Sequence, residues 1–226
     1  MSIKPNHLSQ SKLKEIWAQV PPNYYDEGIK KNLFQKTWHT HKLTQILKLL
    51  HSNPRSLREK LRLLDVGCSS GVLTAAIAET LPKATIIGLD SYRQAIIFAR
   101  SKYPHIDFKI GDAHKLPFQD KAFDLVICTE TLEHLVDPKQ ALVEIKRVLK
   151  KDGKAIISMD SGSLLFKIVW YLWTKTKGKV WQDAHLHEFN EKLLEKLIKE
   201  AGFIIKKRVT SHLGMAIIFL AIPKKN

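Results

Sequence analysis

The sequence predicts an α/β protein with a doubly wound, mostly parallel, seven-stranded sheet and helices on both faces. Two observations lead to this prediction. From residue 61 onward, short apolar segments alternate with segments of helical periodicity, which is the pattern of βαβ units. Near the carboxyl end, two apolar segments follow each other closely, so we expect their strands to pair antiparallel at one end of the sheet.

The alternation supplies the first five strands. The first, LRLLDVG, begins at Leu61 and precedes a helix over 71–80. ATIIGLD and IDFKIGD follow as strands, with a helix over 91–102 between them. FDLVICT is the fourth strand, and the next helix, over 138–150, is expected to end at Lys151-Asp152-Gly153 before the fifth strand, KAIISMD.

The remaining elements follow a break in this alternation. A helix is predicted at about 190–201, where Asn190 can cap its start and Gly202 can end it. FIIKKRV and MAIIFLAIP then complete the sheet as the sixth and seventh strands.

The segments outside the alternation suggest a division of the chain. Helices predicted over 7–20 and 32–51 form a helical cap, 1–60, before a main domain, 61–226, whose insertion at about 161–189 covers the site. That insertion contains SLLFKIVWYLW, the most apolar segment of the chain. A helix of this length, about 16 Å, is too short to span a bilayer. It is either a buried helix packed on the sheet or a lid or interfacial helix.

Charge is distributed unevenly along the 226 residues, which carry a formal net charge of +15. Residues 1–60 and 151–226 each carry a net charge of +7, whereas residues 61–150 carry +1, and all five tryptophans lie outside 61–150. Basic flanks are compatible with nucleic acid, an anionic membrane surface or solubility alone. Because the lysines are scattered and no RNA-binding module is recognisable, nucleic acid is not favoured.

Cysteine usage and hydropathy indicate a cytoplasmic protein, with peripheral membrane association left open. No segment has the apolar run of a signal peptide or a membrane span. Cys68 and Cys128 form no CxxC pair, which argues against a disulfide framework or a metal site. The oligomeric state cannot be predicted from the sequence.

The loop DVGCSSG, after the first strand, has the composition of a nucleotide-binding loop. It does not fit a dinucleotide, because Ser69 and Val72 stand where glycines are required after Gly67, and the chain has no Walker motif. Asp90, 23 residues after Gly67, can accept hydrogen bonds from both hydroxyls of a ribose. A site that can bind a ribose but lacks a phosphate-binding motif favours the cofactor S-adenosylmethionine (SAM).

Four motifs in order, LLDVGCSSG, GLD, GDAHKLPF and FDLVICTETLEHL, resemble those of class I SAM-dependent methyltransferases. The most similar group is the ubiquinone/menaquinone-biosynthesis type, which includes many small-molecule and lipid methyltransferases. The resemblance covers about 61–160, and HLHEFNEKLLEKLIKEAGF extends it to about 203. It implies a small, apolar or lipid-like methyl acceptor. The alternatives are an RNA or protein acceptor, suggested by the basic flanks, and a SAM-binding protein without activity.

The resemblance also implies roles for individual residues. Asp90 would hold the ribose hydroxyls, Asp112 would bond the adenine amino group, and Thr129 would lie near the sulfonium, with the glycine loop beneath the methionine part. The predicted cofactor contacts are Asp65, Gly67, Cys68, Ser69, Gly71, Asp90, Ser91, Asp112, Ala113 and Thr129.

Structural roles are open for several of these residues. Asp65 could orient the loop internally, and Asp90 could cap the helix that begins at Ser91. Cys68 and Cys128 are expected to be small buried residues and not nucleophiles. Ser69 replaces a glycine common in the family, and we expect this departure to be mild because φ need not be positive there.

Catalysis is expected to rest mainly on positioning, because the methyl group of SAM is already an activated electrophile. A general base helps only if the acceptor atom carries a proton of high pKa. The candidate bases are His187, His134 and Glu130, with His185 as a further histidine nearby. Tyr24 or Tyr25 could cover the cofactor.

Overall fold

The computed structural model describes residues 15–51, 60–176, 178, 186–187 and 189–225. The strands are β1 (Arg62–Val66), β2 (Thr85–Asp90), β3 (Asp107–Ile110), β4 (Phe123–Thr129), β5 (Leu149–Asp160), β6 (Phe203–Ser211) and β7 (Ala216–Pro223). They form one sheet in the order β3-β2-β1-β4-β5-β7-β6. The first five strands are parallel, and β7 runs antiparallel to both β5 and β6. The predicted fold class is therefore confirmed.

The helices cover both faces of this sheet. They are α1 (Tyr24–Lys31), α2 (Leu33–His51), α3 (Val72–Thr80), α4 (Arg93–Lys102), α5 (Pro138–Val148), α6 (Leu164–Thr174) and α7 (Glu191–Glu200). The neighbours Leu63 and Leu64 on β1 are buried in different clusters, because successive side chains of a strand point to opposite faces. The Leu63 cluster includes α2 and α3, and the Leu64 cluster includes α5 and α7.

The main domain departs from the prediction at one junction. The helix predicted over 138–150 ends at Val148, and Lys151-Asp152-Gly153 lie within β5, so the expected helix end was wrong. Leu149 has extended backbone angles and already pairs with Phe123 of β4. A register shift between Phe123 and Leu125 accommodates the extra residues of β5.

The amino-terminal flank contains a helix that was not predicted. α1 follows Pro21-Pro22, with acidic residues in its first turn and lysines in its last, an order that suits the helix dipole. α2 confirms the helix predicted over 32–51. Of the helix predicted over 7–20, residues 15–18 are helical, and 1–14 lie outside the described residues.

The predicted termini of the last helix are confirmed. The Asn190 side chain accepts a hydrogen bond from the Leu193 amide (3.0 Å), and Gly202 follows the helix with a φ of +85°. None of the helices in the described parts of the chain combines the length and the apolar character needed to cross a bilayer.

Candidate functional site: two adjoining cavities at the carboxyl ends of the strands

The loop after β1 lies against the end of β2. The backbone amides of Gly67 and Cys68 both donate to the Leu89 carbonyl oxygen, at 2.8 and 3.1 Å. Gly67 has a φ of +78°, and a Cβ there would lie 2.1 Å from Oγ1 of Thr131. A side chain at Gly67 would therefore be strained and would collide with the loop after β4.

Ser69, in the same loop, adopts a φ of +47°, which is in the left-handed region. The expectation that φ need not be positive at this position was therefore wrong. The backbone amide of Ser69 donates to Oδ2 of Asp90 at 2.8 Å. The backbone conformation that points this amide toward Asp90 would cost less free energy in a glycine than in a serine.

Asp90, at the end of β2, organises two loops. Its Oδ2 accepts from the Ser69 amide, and its Oδ1 accepts from the Tyr92 amide at 2.8 Å. Burial raises the pKa of Asp90, and hydrogen bonding to the backbone of Tyr92, Ser69 and Ser91 opposes the rise. Tyr92, and not Asp90, is the N-cap residue of α4. Each carboxylate oxygen has a second lone pair, so both can still accept a hydroxyl.

Asp65 is buried under the loop and takes the internal role left open above. It is 1% exposed, and its Oδ2 accepts a hydrogen bond from Oγ1 of Thr74 on α3 at 2.6 Å. Burial raises its pKa to about 6, although the Thr74 hydrogen bond opposes this rise. These contacts attach β1 to α3 beneath the loop.

A cavity of about 330 Å³, which we call the large cavity, lies at the carboxyl ends of β1 to β4. Six of the predicted cofactor residues line it: Gly67, Ser69, Asp90, Ser91, Asp112 and Ala113. The other four, Asp65, Cys68, Gly71 and Thr129, lie outside its lining. Glu130 and Thr131 occupy the β4 side, and Trp17, Val20 and Tyr25 close it from the amino-terminal flank.

A second cavity of about 100 Å³, the small cavity, adjoins the large one and shares Tyr25, Glu130 and His134 with it. The rest of its lining is Phe34, Gln35, Trp38, His39, Glu133, Asp160, Phe166, Val169, Trp170 and Trp173. The Trp170 ring lies between two others, with centroids 5.7 Å from Phe166 and 5.2 Å from Trp173. The lining of the small cavity is thus mainly aromatic and includes three carboxyl groups.

Glu130 joins the two cavities to the helical flank. Its Oε1 lies 2.9 Å from Nζ of Lys42 and accepts from Nε1 of Trp38 at 3.1 Å. Burial alone would raise the pKa of Glu130, but Lys42, His39 and Trp38 overcome this and lower it to about 2. A carboxylate of such low pKa is a weak proton acceptor, so this geometry favours an anchoring role over the predicted role as a general base.

The candidate histidines occupy different places. His134 lines both cavities. His187 lies outside both linings, with Nε2 2.8 Å from the Leu135 carbonyl oxygen, which requires that Nε2 carry the proton and donate it. Its Nδ1 is buried and has no hydrogen-bond partner among the described residues. His185 lies outside the described residues.

Three charged residues in or next to the lining of the small cavity were not predicted from the sequence: Lys42, Glu133 and Asp160. Glu133 is 2% exposed, and its Oε2 has no hydrogen-bond partner in the part of the chain that the structure describes. Burial raises the pKa of Glu133 well above its usual range, and the charge of Asp160 raises it further. Asp160 ends the fifth strand, so the rule that found Asp90 could have found it.

Comparison with known proteins identifies the central segment. Residues 64–157, which carry the strand ends around the large cavity, match the family model described as a methyltransferase domain. Over these residues the chain is similar to methyltransferases. The chain is 32% identical over 142 residues to an uncharacterized methyltransferase of Schizosaccharomyces pombe, covering 58% of this chain and 49% of that one. It is 38% identical over 96 residues to the demethylmenaquinone methyltransferase of Chlorobaculum tepidum, covering 42% and 39%.

A solved structure agrees with the fold of this methyltransferase domain. The SAM-dependent methyltransferase of Aquifex aeolicus superposes with a TM-score of 0.65 at 16% identity, covering 93% of this chain and 98% of that one. At this identity the likeness shows the fold alone. The chain spans half or less of the length of the two curated relatives above.

The large cavity fits the methyl donor that the methyltransferase family implies, SAM. Asp90 offers lone pairs on both oxygens, as a ribose diol requires. The volume is in the range of small-molecule sites, and the lining combines apolar surface with a few polar groups. Asp112 also lines this cavity, where its Oδ1 accepts a hydrogen bond from the His114 amide at 2.9 Å.

Proposed function

We propose that this protein transfers the methyl group of SAM to a small, apolar or lipid-like acceptor, which binds in the small cavity. The observation that carries the proposal is the position of that cavity, which shares Tyr25, Glu130 and His134 with the large cavity. An acceptor held by the aromatic side chains would lie beside a donor in the large cavity. Methyl transfer needs such positioning more than acid–base chemistry.

Individual residues take roles in this proposal. Bound SAM supplies an activated methyl group, Asp90 holds the ribose, and Asp112 with the Ala113 backbone holds the adenine. The side chains of Tyr25 and His134 face the boundary of the two cavities, where they exclude water and orient the acceptor. His134 is the candidate to accept a proton from the acceptor, because it lines both cavities and His187 lines neither.

Helix α6 supports a lipid-like acceptor and peripheral association with an anionic membrane on the cytoplasmic side. One face of α6 lines the small cavity with Phe166, Val169, Trp170 and Trp173. The opposite face is also apolar, and its exposed residues are Leu164, Leu165, Ile168, Tyr171 and Leu172. Of the two alternatives for this segment, this exposure supports the lid or interfacial helix over the buried helix. The basic flanks complement an anionic surface, and an apolar acceptor could pass from the bilayer to the cavity beneath α6.

The first experiment asks which acceptor class is methylated. Purified protein is incubated with methyl-labelled SAM and a fractionated cell extract, and SAM affinity is measured separately by calorimetry. We expect label in lipid or small-molecule fractions. Label in RNA or protein would support the alternative based on the basic flanks, and SAM binding without any transfer would point to a binding protein.

The second experiment tests the membrane surface. We expect sedimentation with anionic vesicles at low salt, lost on Leu164→Ser/Leu172→Ser. Ile97→Ser is the matched control, because Ile97 is an apolar residue on another helix, α4, and is 55% exposed. Equal sedimentation of all three proteins would show that α6 is not the contact, and no sedimentation of the wild type would exclude the association.

A further inference from the structure

The lining of the small cavity includes a buried carboxyl group with an unsatisfied oxygen. Three acidic residues, Glu130, Glu133 and Asp160, belong to this lining. Glu130 is already paired with Lys42, whose side chain is 4% exposed. Glu133 is different, because its Oε2 is buried and has no hydrogen-bond partner among the described residues. A buried carboxyl oxygen in this state is costly and is stabilised by any ligand that donates to it.

The walls around this carboxyl group suit a cation. Aromatic rings from α1, α2 and α6 surround the cavity, including the adjacent Trp170 and Trp173 and the Trp38 ring near Glu130. The face of an indole attracts an ammonium group, and the attraction is strongest where water is excluded. Lys42 does not line the cavity, and the depressed pKa of His39, caused by burial and by Lys42, keeps that imidazole neutral. Among the described residues that line the small cavity, His134 is then the one side chain besides a ligand that could carry positive charge.

We propose that the methyl acceptor carries a protonated amino group and that Glu133 binds this ammonium in the small cavity. The inference rests on the proposed function and adds to it the chemical class of the acceptor, an amine with an apolar body. Asp160 contributes negative potential near Glu133. An ammonium cannot accept a hydrogen bond, so it does not satisfy the buried indole N–H of Trp173, which has no partner among the described residues.

The alternative is that Glu133 is uncharged in the complex, and it makes a different prediction. If Glu133 stays protonated in the complex, it donates a hydrogen bond to a neutral oxygen of the ligand, and a hydroxyl or carbonyl compound is preferred. The two readings differ in the charge of the ligand, so a pair of probes of equal shape separates them.

The first test compares 2-phenylethylamine with 2-phenylethanol on the wild-type protein by calorimetry, with the donor site saturated by S-adenosylhomocysteine. The amine is protonated at neutral pH, as lysine is. We expect it to bind about tenfold more tightly or better, the size of a charged hydrogen bond. Equal affinities, or tighter binding of the alcohol, would overturn the inference without any variant.

The second test uses Glu133→Gln, which keeps the shape of the side chain and removes its charge. We expect the preference for the amine to disappear while the affinity for the alcohol and for SAM is unchanged. Glu79→Gln, on the exposed side of α3, is the control and should keep the preference. A persistent preference in Glu133→Gln would overturn the inference. Failure of the wild type to bind SAM would instead refute the proposed function.

Discussion

The large and the small cavity meet at Glu130, yet different parts of the chain build them. The large cavity is formed by loops at the carboxyl ends of parallel strands, and its polar contacts involve backbone amides held by Asp90. The small cavity is formed mainly by side chains of α1, α2 and α6, which lie before and after the methyltransferase domain match. In the proposed function, the donor site thus belongs to the scaffold, and the acceptor site belongs to the flanks.

Breaking the ion pair between Lys42 and Glu130, where the two cavities meet, should have the largest effect on stability. Lys42→Met leaves Glu130 as a partly buried carboxylate without its ammonium partner, so we expect a loss of about 3 kcal/mol in the free energy of unfolding. Urea unfolding measures this change. Lys42→Met/Glu130→Gln should recover most of the loss, because it removes both charges.

An exposed ion pair is the control for this prediction. Lys109 lies 3.1 Å from Asp107 with both side chains exposed, so Lys109→Met should cost about 0.5 kcal/mol at most. If Lys42→Met cost no more than Lys109→Met, helix α2 would not be held to the sheet through Glu130.

Asp90→Ala tests the donor side of the comparison. The change removes two charged hydrogen-bond acceptors from the proposed ribose site, and we expect SAM affinity, measured by calorimetry, to fall about 100-fold. Asp112→Ala should have a smaller effect, about tenfold, because the Asp112 side chain is 49% exposed and already bonds His114. Unchanged affinity in Asp90→Ala would show that the ribose assignment is wrong.

The two regions should also respond oppositely to pH. Burial raises the pKa of Asp65 from 3.8 to about 6, so its contribution to stability is present below 3.8 and is lost as the pH rises through 6. Burial, aided by Lys42, lowers the pKa of His39 from 6.5 to about 3, so its contribution is present above 6.5 and is lost as the pH falls toward 3.

Difference curves isolate these two contributions. The stability of the wild type minus that of Asp65→Asn should fall with rising pH between 3.8 and 6, on the order of 2 kcal/mol. The corresponding difference for His39→Asn should rise with pH between 3 and 6.5. Curves of the same sign would mean that one of the two groups is not buried as described.

The donor side could be predicted from the sequence because each contributing residue lies next to a strand end. Asp90 ends one strand and Asp112 follows another, and both strands can be recognised from their apolar residues. Parallel strands bring their carboxyl ends to one edge of the sheet. The acceptor side could not be predicted in this way. Trp38 and Glu130 are 92 residues apart, and their contact depends on how α2 crosses the sheet. Helix α6 reads as equally apolar whether its second face is buried or exposed.

Ser69→Gly tests the backbone conformation of Ser69, which was predicted wrongly from the sequence, and it should have the smallest effect of these changes. Glycine relieves the cost of the left-handed backbone at this position but adds entropy to the unfolded chain, so we expect a net gain of about 0.5 kcal/mol in the free energy of unfolding. SAM affinity should not change, because the Ser69 amide that bonds Asp90 is retained.

Ser91→Gly is the matched control, at the end of the next strand of the same cavity. Ser91 is not among the described residues with positive φ, so glycine there brings only the entropic cost and should destabilise by about 0.5 kcal/mol. The same change at two neighbouring strand ends should therefore have opposite signs. If both variants lost stability equally, the loop after β1 would not hold Ser69 in the left-handed region, and its amide would not be turned toward Asp90.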